Sequence, residues 1–193
     1  MKGKIGEKAM KLLGTKILHT ERLTLRPFRE SDAEAMFANW ANDPEVTKYM
    51  TWTPHGDVSV TRALCQKWEQ EAAITFQWAI EYEGELVGSI SVVGVDEVQE
   101  RGTIGYCMGK KWWGKGLMTE AAREILRFMF EEVGIFCISG THAAPNVGSG
   151  RVMEKNGLQY EGTRRKHWKL PNTGERVDIV MRGMTQGDYF AQK

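Results

Sequence analysis
Apolar and polar positions change period several times along the chain, and each change marks an element. Arg22–Pro27 (RLTLRP) alternates and closes on a proline, the pattern of a strand. Ser31 and Glu34 have the S-x-x-E spacing of a capping box and open a helix running to about Trp40. Asn42-Asp43-Pro44 stops that helix and can start a short helical turn. A second amphipathic helix is expected over Ser59–Ala73. The period then drops to two. Phe76–Tyr82 and Leu86–Val93 flank Glu83-Gly84 as a hairpin, and Thr103–Met108 is a third strand. Leu117, Ala121, Ile125, Phe128 and Met129 line one face of a long helix over 117–132. Phe136–His142 reads as a strand, and 146–156 as a helix closed by Gly157. Leu158–Leu170 and Glu175–Met184 are strands joined through Pro171-Asn172-Thr173-Gly174. The order β-α-α-β-β-β-α-β-α-β-β predicts an α/β (α+β) architecture, a mixed and mainly antiparallel sheet with helices on its faces. Residues 1–16 have a weak helical pattern (EKAMKLL) and read as an extension to a single domain over 17–193.

Composition narrows the function classes. Apolar residues make up 41% of the 193 positions, enough for one core, and charged residues 26%. The net charge of +1 lacks the basic excess of a nucleic-acid binder. No run of 18 apolar residues is present, so no membrane partner is expected, and the basic start lacks the apolar stretch of a secretory signal. Cys65, Cys107 and Cys137 are odd in number and widely spaced, which argues against a disulfide framework or a metal site and points to the reducing cytoplasm.

The segment Lys111-Trp112-Trp113-Gly114-Lys115-Gly116-Leu117-Met118-Thr119 carries the most chemistry. A strand leads through a glycine-bearing loop into a helix N-terminus. The glycines let a ligand approach the backbone, and the unpaired N–H groups of the first helical turn favour an anion such as a diphosphate. Lys111 and Lys115 add positive charge. A tight β-to-α turn that binds nothing has the same pattern. The loop is too short for a P-loop and lacks the dinucleotide fingerprint, which counts against a nucleotide module of another class.

Lys111-Trp112-Trp113-Gly114-Lys115-Gly116 resembles the acetyl-CoA motif [RQ]-x-x-G-x-[GA] of the GNAT N-acetyltransferases, with lysine where Arg or Gln is usual. Several further segments resemble the branch of bacterial Rim-type ribosomal-protein N-terminal acetyltransferases: Thr20-Glu21-Arg22-Leu23-x-Leu25-Arg26-Pro27, Asn42-Asp43-Pro44-Glu45-Val46, Ile104-Gly105-Tyr106, Thr119-Glu120-Ala121 and Asn146-x-x-Ser149-x-Arg151-Val152-x-Glu154-Lys155-x-Gly157. The resemblance spans about 18–184. It implies the GNAT fold, with Thr103–Met108 and Phe136–His142 splayed around the pantetheine of acetyl-CoA, the co-substrate. It places pantetheine against the backbone of Cys107, Met108 and Gly109, and the pyrophosphate on the amides of Gly114, Lys115, Gly116, Leu117, Met118 and Thr119. Asn146 matches the asparagine that holds the pantetheine arm; an ordinary N-cap is the other reading.

In this family an amine attacks the thioester directly. A backbone N–H around Tyr106 to Met108 is the natural oxyanion donor. Many relatives carry a tyrosine acid where Met153 stands here. Ser149, one turn earlier on the same face, is then the candidate to protonate the thiolate, and a backbone-capping serine is the alternative. The base is less defined. Thr103 replaces a glutamate common in relatives, leaving Glu100, His142 and Asp178, or water. An acyl-enzyme on Cys107 lacks an evident histidine partner. Tyr49, Met50 and Trp52 are candidates for an acceptor groove. Arg164, Arg165, Lys166, His167 and Lys169 around Trp168 form a basic run that suits an acidic substrate or the CoA 3′-phosphate, or is a solvated strand face. The expected acceptor is a peptide N-terminus or a small-molecule amine, acted on by a monomer or homodimer. No metal is implied. A catalytically idle acyl-CoA binder is the rival reading.

Overall fold
The computed structural model describes residues 10–193; the first nine positions of the predicted helical extension lie outside the described residues. Eight strands form one sheet: β1 (Leu18–His19), β2 (Leu23–Pro27), β3 (Phe76–Tyr82), β4 (Glu85–Asp96), β5 (Arg101–Met108), β6 (Cys137–Ala143), β7 (Gln159–Lys169) and β8 (Arg176–Thr185). Their order is β1-β2-β3-β4-β5-β6-β8-β7. Every neighbouring pair is antiparallel except β5–β6. A parallel pair needs a crossover, and the long helix after β5 supplies it. That helix is α4 (Leu117–Arg127), and it widens into a π-helical stretch over Phe128–Val133.

Both faces of the sheet are covered. Leu117, Ala121, Ile125 and Phe128 of the α4 segment pack on Trp78, Ile80, Val87 and Ile90. Met153 of α5 (Val147–Lys155) joins the same layer. On the opposite face lie α1 (Ala33–Met36), α2 (Pro44–Thr47) and α3 (Val58–Gln70). They enclose Phe28, Trp40, Ala79 and Cys107 in a second cluster. The central strands are thus buried on both sides, which is why β3 reads as a run (FQWAI) rather than as clean alternation.

Several boundaries differ from the sequence reading. The Ser31–Glu34 capping box does not form. The Asp32 carboxylate instead accepts the Arg29 N–H at 2.8 Å and grips the Arg26 guanidinium through two bonds of 2.8 Å. The helical turn begins at Glu30 with Arg29 as its cap residue, so Ser31 lies inside it, and the buried Arg26 has both Asp32 and Glu81 as partners. The second amphipathic helix, α3, runs over Val58–Gln70 rather than Ser59–Ala73, with Asp57 capping it by accepting the Ser59 N–H. β1 has only two residues, too short for a period to show, and α6 (Gln186–Ala191) adds a terminal helix capped by Thr185. Residues 10–16 are not helical. They lie along the domain, with the Lys11 N–H on the Val133 carbonyl and Thr15 Oγ1 donating to Thr75 O at 2.7 Å.

Candidate active site
The parallel pairing of β5 and β6 runs from Arg101↔Cys137 to Ile104↔Gly140 and then stops. Beyond that rung β5 stays with β4 (Gly105↔Ser91 to Met108↔Gly88), while β6 stays with β8 (Thr141↔Met181 to Ala143↔Ile179). The two strands therefore fork at Gly105 and Thr141, as the resemblance implied. Below the fork the Met153 thioether packs on the last rung: a β-carbon at Gly140 would lie 3.0 Å from its Sδ.

Backbone polarity at the fork follows from strand alternation. The Gly109 N–H donates to Val87 O at 2.9 Å, so the peptide groups of Gly109 and Cys107 turn toward β4. Those of Tyr106 and Met108 turn into the opening. Trp113 Nε1 donates to the Met108 carbonyl at 2.7 Å, which leaves the Tyr106 and Met108 N–H groups and the Tyr106 carbonyl to meet a ligand. Of the expected pantetheine contacts, Met108 has its peptide in the opening. Gly109 and Cys107 do not. The Cys107 side chain is buried in the α1–α3 layer, and burial pushes its thiol up to about 12, the state of a packing cysteine rather than a nucleophile.

The N-terminus of α4 faces the same end of the sheet. Gly116 is its N-cap at φ +78° and Gly114 lies at φ +75°, left-handed values that favour glycine. The first bond into the helix is Glu120 N–H to Gly116 O at 3.1 Å, so the N–H groups of Leu117, Met118 and Thr119 precede the ladder. Three free amides, two glycines and the helix dipole fit a diphosphate. Lys115 lies exposed in the loop between the two glycines. The Lys111 ammonium is paired with Glu85 at 3.0 Å on the exposed surface.

A brace that sequence reading missed holds this loop. Glu120 accepts from Thr20 Oγ1 at 2.6 Å, from the Arg22 N–H at 2.9 Å and from Arg22 Nε at 2.7 Å. Arg22 in turn donates to the Lys115 carbonyl at 3.2 Å. Burial works against the Glu120 carboxylate, but the bonds from Thr20 and Arg22 prevail and hold it below its ordinary range. Both motifs, Thr20-Glu21-Arg22 and Thr119-Glu120, were visible; that they meet across 98 residues was not.

Across the fork the structure joins Tyr106 and Ser149. Tyr106 Oη donates to the Ser149 carbonyl at 2.8 Å and accepts from Ser149 Oγ at 3.3 Å. Burial pushes the phenol up to about 12, so it is a proton-bearing group at neutral pH. Asn146 caps α5, its Oδ1 accepting the Ser149 N–H at 3.3 Å. Its amide Nδ2 has no hydrogen-bond partner among the described residues. His142 is set apart. Its Nδ1 donates to Ala143 O at 3.0 Å, and its Nε2 is closed off by α5, since a β-carbon at Gly150 would lie 2.7 Å away. Glu100 sits beyond the other end of β5, and Asp178 accepts the Lys166 N–H at 2.8 Å. Of the three base candidates, His142 is enclosed by α5, Glu100 lies at the far end of β5, and Asp178 is tied to the β7 backbone. Trp52 and Met50 pack on the α1–α3 layer, whereas Tyr49 packs beside Trp168 on Ala143, Leu170, Val177 and Ile179.

Comparison with known proteins agrees with this geometry. The model of the acetyltransferase (GNAT) domain matches residues 22–159. The uncharacterized N-acetyltransferase p20 of Bacillus licheniformis is 31% identical over 176 residues, covering 89% of this chain and 97% of its own. The [ribosomal protein uS5]-alanine N-acetyltransferase of Escherichia coli (strain K12) is 27% identical over 188 residues, covering 89% of this chain and 92% of its own. Among solved structures, RimL, a ribosomal L7/L12 alpha-N-protein acetyltransferase in complex with coenzyme A, has the same fold. Its TM-score is 0.79 at 19% identity, over 88% of this chain and 97% of that one. With the family model spanning most of the domain and the sheet forked where an acyl donor would enter, this protein is a member of the GNAT family of N-acetyltransferases.

Proposed function
We propose that the protein transfers an acetyl group from acetyl-CoA to a primary amine by direct attack, with a peptide or protein N-terminus as the acceptor. The observation that carries this reading is the fork of β5 and β6, with unpaired N–H groups on its β5 side and the α4 N-terminus at its mouth. When bound, acetyl-CoA supplies a thioester, an acyl donor with a good leaving group. The amides of Leu117, Met118 and Thr119 would hold its pyrophosphate, and Asn146 Nδ2 with the Tyr106 and Met108 peptides would hold its pantetheine. The Met108 or Tyr106 N–H would stabilise negative charge on the acetyl oxygen as the C–N bond forms. As the C–S bond breaks, the sulfur needs a proton, and the Ser149–Tyr106 pair offers two. With His142 closed off by α5, Glu100 at the far end of β5 and Asp178 bonded to the Lys166 N–H, the amine proton leaves to water. The N-terminal acceptor is supported by the Rim-like motifs and by the uS5-alanine acetyltransferase among the relatives.

The test combines binding and turnover. A β-carbon at Gly116 would lie 3.7 Å from Arg22 Nη2, so Gly116→Asp puts a carboxylate between the brace and the cradle. Calorimetry should show acetyl-CoA affinity lost, with a folded circular-dichroism spectrum. Unchanged affinity would remove the cradle from the reading. Mass spectrometry of an amine and peptide library with the wild-type chain identifies the acceptor, and turnover confined to polyamines or aminoglycosides would overturn the N-terminal assignment.

A further inference from the structure
A groove of about 330 Å³ opens on the sheet face opposite α4 and α5, and it begins at the fork. Its first rung is Thr141↔Met181, one position beyond the last β5–β6 pair. Paired residues share a face, so Ile179, two positions on, brings Arg164 of β7 to the same side, and Val177 brings Trp168. His167 and Lys169 complete the lining. Among the described residues no carboxylate lines the groove, and Arg164, His167 and Lys169 make no ion pair.

The concentration of cations here is built rather than incidental. Between Arg164↔Ile179 and Trp168↔Val177, β7 spends four residues where β8 spends two. This bulge holds Lys166 at φ +48° and is pinned by Asp178, which accepts the Lys166 N–H at 2.8 Å. A bulge re-aims side chains, and this one sets His167 beside Arg164 and Lys169. The hairpin tip is anchored as well: Asn172 Nδ2 donates to Thr47 O at 2.9 Å, and Tyr49 packs against Leu170 and Val177. The groove therefore has two fixed walls, one end at the reacting site, and a positive lining without internal counter-charge.

We propose that this groove is the anion subsite of the acceptor, and that the acceptor is an amine carrying a carboxylate or phosphate beyond its amino group. The inference rests on the acetyltransfer reading above and names the class of amine that reading leaves open. Arg164 lies two residues along and two strands across from Thr141 at the fork, a span of ~12 Å, and an extended peptide advances ~3.4 Å per residue. For a peptide, the acidic side chains that meet Arg164 are those two to four positions after the amine. Opposite charge along the groove steers the acceptor and fixes its register, and both effects weaken with salt.

The test compares acetylation of peptides with two neutral N-terminal residues followed by Asp-Glu, Asn-Gln or Lys-Lys, beside small amines with and without a carboxylate or phosphate. The full chain is used, with saturating acetyl-CoA. A preference of ~10-fold or more in kcat/KM for the anionic member of each set is expected. It should shrink in added salt and collapse toward one in Arg164→Gln/Lys169→Gln, an exposed pair whose replacement spares the core. Which set is turned over separates a peptide from a small acidic amine. Equal rates on anionic and neutral acceptors, insensitive to the double variant, overturn the proposal. Should no amine be acetylated, calorimetric binding of the Asp-Glu peptide decides. Binding lost in the double variant upholds the subsite while the acetyltransfer reading falls, and binding that is absent or unaffected by the variant overturns the subsite.

Discussion
Glu120→Gln separates the brace from the cradle it supports. The replacement keeps the shape and leaves Oε1 to accept from Thr20 and from the Arg22 N–H, but it turns an amide toward the Arg22 guanidinium, where Oε2 now accepts at 2.7 Å. A hydrogen bond to a charged group is worth about 1.5–3 kcal/mol. The Arg22 side chain is 40% exposed, and solvent screening brings the expected loss to about 1 kcal/mol. For a domain of this size that lowers Tm by about 2–4 °C. The pH dependence carries a sign. Glu120 is held below its ordinary value of 4.5, so its contribution is fully present above that pH and disappears as pH falls through the lowered value. The stability gap between wild type and variant should be constant near neutrality and close in acid. Freed from Glu120, Arg22 also loosens its bond to the Lys115 carbonyl. A loop that must be ordered on binding weakens acetyl-CoA affinity by a comparable ~1 kcal/mol, about fivefold in Kd. Thermal unfolding across pH and calorimetry with acetyl-CoA read the two effects separately. A variant with lowered Tm and wild-type Kd would refute the link between brace and cradle.

Ser149→Ala should lower kcat by up to about 10² in a thiol-release assay while acetyl-CoA affinity stays near wild type; full kcat would make the hydroxyl structural. Tyr106→Phe should slow the same step, and the double variant should lose less than the product of the two, because they share one hydrogen bond. Cys65 and Cys107 are buried, with thiols pushed up to about 12, so brief alkylation of the native protein at pH 8 should modify Cys137 before either, read by peptide mass spectrometry. Labelling of Cys107 ahead of Cys137 would contradict the packing described. Asp32→Ala leaves the Arg26 guanidinium buried with Glu81 as its remaining partner at 2.8 Å, and chemical denaturation should show a loss of about 3 kcal/mol.

Much of the architecture was legible in the chain because its cues are local. Glu83-Gly84 between two alternating runs gave the β3–β4 hairpin, and the apolar stripe from Leu117 to Met129 gave α4. Asn146 and Gly157 bracketed α5, and the glycine loop before Leu117 gave the cradle as a motif. What the chain alone left open depends on pairs distant in sequence. Tyr106 and Ser149 lie 43 residues apart, and only the fork of β5 from β6 brings the phenol to the start of α5. The capping box at Ser31 failed because the turn already begins at Glu30, held by the Arg29 N–H on Asp32, which also pairs with the buried Arg26. His142 looked available for proton transfer until α5 closed over its Nε2. The basic run at 164–169 looked like any solvated strand face. A bulge whose register is set by β8, and a hairpin tip tied to Thr47, turned it into a groove that starts at the fork. Local periodicity reports which face of an element is apolar. Which charges that face will meet is decided by the tertiary structure, because hydrogen bonds and desolvation act through space and not along the chain.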